Sequence, residues 1–316
     1  MGSSYFFGYV TVWICLVYLH WVVAVQLTEQ ELKERINNLT IWRKKEQRAP
    51  HKPLLLLLAL SRLQAGEKRL TYEETRIQLK ELLIEFGPRR RRYCPEEPFV
   101  RLTTDGLWAL NKPVSKKQIQ EKLLLEQHIT GGFEPEVLVL LEKRPALRQE
   151  VAEQLLHAHF PETMHPDILE AVGFELEPTP RKKRDPQFRN RILTAYEYSC
   201  AVCGFNVRLG SQLVAIDAAH IQWHQAGGPD QEENGIALCT LHHKLFDRGV
   251  FTITNDRRLL VAEEAHGTRG LEEWLMRYHG TEIRSPISPL YRPKLVFLEW
   301  HVREVFKGPA RYIYGQ

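Results

Sequence analysis

Apolar residues in the first half of the chain recur mostly with the three- and four-residue spacing of helices. Leu32, Ile36 and Leu39 keep this spacing, and Thr28 with a glutamate three residues later has the pattern of a capping box. The run LLLLLALSRL after Pro53 is apolar all round, and proline suits the first turn of a helix. This second helix is therefore predicted to form the centre of a core.

Helical patterning continues over residues 72–86, 115–126 and 135–159. Between the first two of these helices, the segment PFVRLTTDGLWAL has the pattern of two short extended pieces. A hairpin-like turn at residues 104–106 is expected to join the two pieces.

The second half of the chain begins after the proline-rich basic stretch PTPRKKRDP, which has nothing apolar to pack and predicts a linker. A helix is expected over residues 186–198, strands in VFTIT and RRLLVAE, and helices near residues 270–278 and in KLVFLEWHVREVF. The fold class predicted is α+β, with a mostly helical first domain.

Residues 5–25, YFFGYVTVWICLVYLHWVVAV, contain no Asp, Glu, Lys or Arg and are long enough to cross a bilayer. No Lys or Arg precedes them, as a signal peptide requires, and no small-residue cleavage site follows. Two interpretations stay open. The segment is a membrane anchor, or it results from a mis-called start, with translation beginning at Val25 or Leu27.

Composition narrows the function only slightly, because 43 basic and 39 acidic residues leave a net charge of +4. That charge is too small to indicate a nucleic-acid partner by itself. The five cysteines are an odd number, and three of them fall between residues 200 and 239. This spacing favours metal ligation in a reducing, cytoplasmic compartment over a disulfide framework.

Two ligand pairs of the same spacing stand out in the second half. Cys200 and Cys203 form a C-x-x-C pair, and Cys239 with His242 forms a C-x-x-H pair. Each pair lets a tight turn present two ligands to one tetrahedral ion, and four protein ligands leave no open position. The four side chains are therefore predicted to hold a structural Zn²⁺.

Around these pairs the chain resembles the HNH endonuclease family, over residues 196–251. The ordered match consists of His220 in DAAHI, Asn234 in NGIALC and His243 in LHHKLFD. The resemblance implies a ββα-metal nuclease that cuts DNA with one divalent ion, Mg²⁺ or Mn²⁺.

Phosphodiester hydrolysis needs an activated water and positive charge at the phosphate. We expect His220, on a strand, to be the general base, and His243, at the start of the next helix, to help hold the ion. By the resemblance, Asn234 is a support that ties the loop and orients the base. Many family members have an acidic ligand where this chain has Ala219, so Asp217 is the candidate second ligand. The alternative is His243 with water ligands, which Mg²⁺ readily keeps.

The segments RAPHKPLLLLLALSRL and FGPRRRRYCPEEPFVRLTTDGLWAL resemble the sulfur-binding domain of McrA-like, phosphorothioate-dependent type IV restriction endonucleases. The resemblance covers residues 27–173, and FLEWHVREVFKGPAR resembles the closing segment of those enzymes. Because it begins near Leu27, it favours the mis-called start over the membrane anchor.

This second resemblance implies recognition of a phosphate in which sulfur replaces one oxygen. That edge is larger, softer and less hydrated, so a shallow apolar cup with a cationic rim would distinguish it. Pro98 and Phe99 are candidates for the cup. The candidates for the rim, including two basic residues of the HKP motif, are His51, Lys52, Arg89, Arg90, Arg91, Arg92 and Arg101.

The sequence thus predicts an endonuclease that acts on double-stranded, phosphorothioated DNA, with a homodimer on DNA expected by analogy. Alternatives are an HNH endonuclease directed at methylated or hydroxymethylated DNA, and a non-cleaving zinc-containing DNA-binding protein. The predicted parts are a hydrophobic segment at residues 1–26, a reader domain at 27–175, a basic linker at 176–186 and the HNH domain at 187–316.

Overall fold

The computed structural model describes residues 27–41, 49–117, 119–176 and 186–312. The hydrophobic stretch at residues 5–25 and the basic run at 181–184 lie outside the described residues, and the predicted domain boundaries stay predictions. Within the described ranges, no helix is both long and apolar enough to cross a bilayer.

The N-terminal region is mostly helical, as the apolar spacing predicts, and includes a three-stranded antiparallel sheet of order β1-β3-β2. The capping box at Thr28 and Glu31 is present. The elements in chain order are α1 Glu29–Asn37, α2 His51–Gln64, β1 Leu70–Thr71, α3 Tyr72–Phe86, α4 Glu96–Arg101, β2 Trp108–Leu110, α5 Glu121–Glu126, β3 Thr130–Phe133, α6 Pro135–Lys143, α7 Pro145–His159 and α8 His165–Val172.

Helix α2 forms the centre of this region, as predicted. Its side chains from Leu54 to Leu60 are at most 4% exposed. Helices α3, α4, α7 and α8 all pack against it. A helix that is apolar all round is stable in water only when it is surrounded in this way.

The hairpin predicted in residues 98–110 is wrong. The residues before the turn form α4 and the short 3-10 helix Leu102–Asp105, and only Trp108–Leu110 is a strand. Phe99 on α4 is fully buried and packs edge-to-face against Tyr72, with ring centroids 5.2 Å apart. Packing of this aromatic side chain on α3 outweighs the weak local preference of the segment for extended backbone.

Two predicted helices are shorter than their patterns suggest. The helix predicted over residues 115–126 begins only at Glu121. The helix predicted over 135–159 is divided at Arg144, whose φ of −129° and ψ of 79° are not helical. Proline at the next position disfavours helical backbone at the residue before it, so a new helix starts at Pro145.

The C-terminal region confirms the α+β class, and the strands predicted in VFTIT and RRLLVAE pair antiparallel. The helix predicted over 186–198 ends at Ala195, since Glu197 and Tyr198 have positive φ angles of 51° and 56°. The elements are α9 Pro186–Ala195, β4 Arg208–Leu209, β5 Gln212–Leu213, β6 Ile216–His220, β7 Gly235–Cys239, α10 Thr240–Asp247, β8 Phe251–Ile253, β9 Leu259–Val261, α11 Arg269–Trp274 and α12 Leu295–Glu304.

The two regions share an apolar interface. Trp223 and Trp300 from the C-terminal region are 2% and 0% exposed and pack into the N-terminal core. At the edge of this interface, Arg90 lies 3.1 Å from the buried carboxylate of Glu304. The amine of Lys307 donates to the carbonyl of Gly87 at 2.6 Å. The N-terminal region therefore lies directly against the C-terminal region.

A buried ion pair supports the N-terminal core, and it yields a prediction. Lys52 lies 2.5 Å from Asp105, and their side chains are 9% and 2% exposed. Asp105→Ala leaves the Lys52 ammonium buried without its carboxylate, which should lower the free energy of unfolding by about 3 kcal/mol. Chemical denaturation measures this change. Glu126→Ala, in the exposed pair with Lys122, is the control and should cost less than about 1 kcal/mol. Equal effects of the two substitutions would contradict the prediction.

Candidate active site and metal centre

Two antiparallel strands and the helix that follows them build the site. Strands β6 and β7 pair so that Ile216 lies opposite Cys239 and His220 lies opposite Gly235. Helix α10 starts at the residue after β7. This arrangement places the end of β6 beside one face of α10, with the β6–β7 loop above both.

His220 ends β6, as predicted, and two neighbours hold its ring. Its Nε2 lies 2.7 Å from a carboxylate oxygen of Asp230 in the β6–β7 loop. Phe188 on α9 also supports it, since its ring stacks on the imidazole at a centroid distance of 4.1 Å. With Nε2 donating to Asp230, Nδ1 is the nitrogen that can accept a proton.

Asn234 lies fully buried at the base of the same loop. Its Oδ1 accepts from the N–H of Gln222 at 2.8 Å, and its amide donates to the carbonyls of Gln222 and Pro229. Gly228 allows this close approach, because a Cβ there would lie 1.9 Å from the Gln222 carbonyl oxygen. The side chain thus ties together the loop that carries Asp230.

His243 projects from the first half of α10, and Asp247 follows it one turn later. Their side chains are 7% and 2% exposed, and Nε2 of His243 lies 3.3 Å from Oδ2 of Asp247. Two ligands in adjacent positions of an octahedral ion with bonds of about 2.1 Å would lie about 3.0 Å apart. Sequence analysis missed Asp247, although its four-residue spacing from His243 on a predicted helix was a usable signal.

Asp217, the predicted second ligand, lies on the wall of the same pocket. Its carboxylate accepts a hydrogen bond from Nε of Arg189 at 3.0 Å, and its side chain is half exposed. The pocket therefore offers two carboxylates as candidate ligands beside His243, and Asp247 is the one that lies 3.3 Å from its imidazole.

A cavity of about 260 Å³ connects these side chains. The C-terminal region supplies most of its wall, whereas the N-terminal region contributes Pro161 and Glu162. The histidines and aspartates of the C-terminal region that line the cavity are Asp217, His220, His224, Asp230, His243 and Asp247.

The four predicted zinc ligands come together beside this pocket. The ligand atoms of Cys200, Cys203, Cys239 and His242 all lie within 4.8 Å of one another. The Sγ atoms of Cys203 and Cys239 are 3.9 Å apart, close to the separation of about 3.8 Å expected for two thiolates on a tetrahedral Zn²⁺. The donor set and its size fit zinc.

Contacts around the cluster orient its histidine and change the pKa of its thiols. Nε2 of His242 donates to the carbonyl of Trp274 at 2.8 Å, so Nδ1 faces the sulfurs as the free ligand atom. Hydrogen bonds from Cys203, and then from Cys239, lower the pKa of the Cys200 thiol well below its ordinary value. The same hydrogen bonds with Cys200 and Cys239 raise the pKa of Cys203, so without a metal the cluster favours one thiolate, at Cys200, and a bound zinc would favour ionisation of the others.

The candidate rim of the reader domain is only partly accessible. His51 starts α2 beside Arg90, and burial, followed by the charge of Arg90, lowers the pKa of His51 and keeps its imidazole neutral. The structure does not place Lys52 on this rim. Its ammonium is bound to Asp105 inside the core and does not face solvent.

The four arginines of residues 89–92 have different partners. Arg89 and Arg90 contact carboxylates of the C-terminal region, Glu264 at 3.5 Å and Glu304 at 3.1 Å. Arg92 pairs with Glu96 on α4, whereas Arg91 is exposed. The loop thus lies at the edge of the domain interface.

The candidate cup also needs correction. Phe99 is fully buried between Tyr72 and Trp108, so it supports the surface from behind and cannot contact a ligand in this conformation. Pro98 is buried as well, and Arg101 is exposed and paired with Glu97. Burial of this kind depends on packing between separate helices, so the local sequence did not reveal it.

The fold defines a ββα module, formed by β6, β7 and α10, that lies against a mostly helical region. Comparison with known families agrees: residues 29–177 match the ScoMcrA-like DNA sulfur-binding domain, and residues 200–254 match an HNH endonuclease family. The N-terminal half of the chain is therefore similar to a ScoMcrA-like sulfur-binding domain, and the C-terminal half contains a segment similar to HNH endonucleases. No curated protein matches the chain significantly.

Solved structures with partial likeness include the sulfur-binding domain of SprMcrA complexed with phosphorothioated DNA. It is 26% identical with a TM-score of 0.40, and the match covers 46% of this chain and 94% of that one. The corresponding domain of ScoMcrA is 21% identical with a TM-score of 0.39, covering 45% and 94%. The type IV phosphorothioation-dependent restriction endonuclease ScoMcrA is 19% identical with a TM-score of 0.37, covering 52% of this chain and 38% of that longer one.

The Cys₃His cluster predicts a specific effect of losing one ligand. Cys203→Ser should lower the bound zinc, measured by elemental analysis of the purified chain, and should lower the melting temperature by roughly 10 °C, because a structural zinc contributes folding free energy directly. Cys94→Ser is the matched control, since Cys94 is a half-buried free cysteine of the reader domain. Unchanged zinc content in Cys203→Ser, or equal loss in both variants, would show that the cluster does not hold the metal.

Proposed function

We propose that this protein is a modification-dependent DNA endonuclease that recognises phosphorothioated double-stranded DNA and hydrolyses phosphodiester bonds at its HNH site. One observation carries the proposal: a sulfur-binding domain and an HNH domain occupy one chain, and the HNH part has a pocket in which His220 and His243 face the same cavity.

Water activation is assigned to His220. Its Nε2 donates to Asp230, which leaves Nδ1 as the proton acceptor, and stacking on Phe188 limits rotation of the ring. A general base works best when its ring is held in one orientation toward the water. Asn234 contributes indirectly, because it holds the loop from which Asp230 reaches His220.

His243 and Asp247 are the proposed ligands of the catalytic ion, and Asp217 is the alternative carboxylate. The scissile phosphate gains charge as water attacks, and a Mg²⁺ or Mn²⁺ ion held by these side chains supplies the compensating positive charge. Two protein ligands leave room for water and for phosphate oxygens, in keeping with the coordination that Mg²⁺ prefers.

DNA binding is assigned to the arginine loop of the reader domain, together with the start of α2. The first backbone N–H groups of a helix and nearby arginines favour a phosphate. Arg91 is exposed in this loop, and His51 and Arg90 lie beside the start of α2. The surface of α4 that the buried side chains of Pro98 and Phe99 support from inside is the proposed contact for sulfur.

The decisive test compares two plasmids that differ only in phosphorothioate linkages, incubated with the full chain and Mg²⁺ or Mn²⁺. We expect cutting of the sulfur-bearing plasmid alone. His220→Ala should reduce the rate of that cutting about 100-fold or more, the usual contribution of a general base. His266→Ala, which changes an exposed histidine outside the pocket, should leave the rate unchanged.

The other outcomes separate the rival functions. Equal cutting of both plasmids would refute recognition of the phosphorothioate linkage. Selective cutting of plasmids with methylated or hydroxymethylated cytosine would then identify a base modification as the target. Binding without cutting in either metal would indicate a DNA-binding protein. Linear rather than nicked product at the first cut would indicate that two copies act together, the homodimer on DNA expected by analogy.

The assignment of the arginine loop predicts a second result. Arg91→Ala removes one phosphate contact, so it should weaken binding to DNA with and without sulfur by a similar factor. It should also lower the slope of log affinity against log salt by about one. Fluorescence anisotropy across a salt series measures both changes. Arg269→Ala, on the exposed face of α11, is the control and should change neither. An unchanged slope in Arg91→Ala would remove Arg91 from the DNA interface.

A further inference from the structure

The reader domain contributes directly to the nuclease pocket. Between α7 and α8 it forms a short 3-10 helix, Glu162–Met164, which packs against α10. Pro161 and Glu162 line the cavity, and Met164 is 2% exposed beneath them. The segment therefore forms part of the wall that faces His243 and Asp247.

A hydrogen bond links this segment to the proposed metal ligand. The hydroxyl of Thr163 donates to Oδ2 of Asp247, across 84 positions of the chain. The same oxygen lies 3.3 Å from Nε2 of His243. The carboxylate oxygen closest to the imidazole is thus the one that a reader-domain hydroxyl contacts.

Two ion pairs hold α10 in place for this contact. Lys244 lies 2.7 Å from Asp167 at the start of α8, and Arg248 lies 2.6 Å from Glu85 on α3. Lys244 directly follows His243 on α10, and Arg248 directly follows Asp247, the last residue of the helix. The reader domain therefore contacts the end of α10 at three residues, Lys244, Asp247 and Arg248.

We propose that Thr163 is a positioning residue for Asp247, so that the reader domain sets the affinity of the nuclease site for its divalent ion. A carboxylate that binds a metal must present one oxygen in a defined direction, and a hydrogen bond from a neighbouring group restricts its rotation. The proposal rests on the proposed role of Asp247 as a ligand. Its consequence is that the HNH domain reaches its full metal affinity only when the reader domain is docked against it.

The test measures cleavage by the full chain as a function of Mn²⁺ concentration, together with Mn²⁺ binding in the absence of DNA. Thr163→Val keeps the shape of the side chain and removes the hydroxyl. It should raise the half-saturating Mn²⁺ concentration about 10-fold, as loss of a partner to a metal ligand does in other sites, with the rate at saturating Mn²⁺ within a few-fold of the native chain. Thr163→Ser keeps the hydroxyl and should restore the native Mn²⁺ requirement.

Thr75→Val is the matched control, because Thr75 is a buried reader-domain threonine whose hydroxyl donates to the carbonyl of Thr71. It should leave the Mn²⁺ requirement unchanged. Zinc content and melting temperature identify any variant that has lost its fold, and Thr163→Ala then replaces the valine variant. Three results would overturn the proposal. They are an unchanged Mn²⁺ curve in Thr163→Val, an equal shift of the curve in Thr163→Ser, and a lower rate at every Mn²⁺ concentration without a shift in Thr163→Val.

Asp247→Asn separates this inference from the function on which it rests. Loss of Mn²⁺ binding in Asp247→Asn with a native curve in Thr163→Val would refute the role of Thr163 and keep Asp247 as a ligand. Native Mn²⁺ binding in Asp247→Asn with loss in Asp217→Asn would move the ligand to Asp217, and the inference would fall together with that assignment.

Discussion

Two adjacent histidines at the start of α10 face different sites, and the geometry of the nuclease half depends on this constraint. His242 turns toward the three cysteines, and its other nitrogen is held by the carbonyl of Trp274. His243, about 100° further round the helix, turns toward the pocket. The Cys₃His cluster therefore anchors the same helical turn from which the proposed catalytic ligand projects.

The interface between the two domains is the second constraint. Buried tryptophans at positions 223 and 300 make it apolar, and ion pairs at its edge restrain sliding. Domains joined by a large apolar contact tend to move together. The arginine loop therefore lies against the C-terminal region, since Arg90 reaches the buried carboxylate of Glu304.

Sequence patterns predicted the parts of the site that depend on short spacing. The C-x-x-C and C-x-x-H pairs, the strand that ends at His220 and the helix that starts near His243 all appear as expected. The partners of these residues were not predicted. Asp230 reaches His220 from ten positions further along the chain, in the β6–β7 loop. Asp247 was overlooked because its role depends on which face of α10 is turned to the pocket.

The reader domain shows the same contrast between features set by local sequence and contacts set by tertiary packing. By itself, the sequence determined the mostly helical fold, the central helix α2 and the resemblance of each half to a known family, because apolar spacing and motif order are local properties. Only the tertiary structure decided that Lys52 is neutralised by Asp105, that Phe99 is inside and that Thr163 contacts Asp247. Each of these contacts joins residues far apart in the chain, and their approach is set by how separate helices pack, which no local pattern encodes.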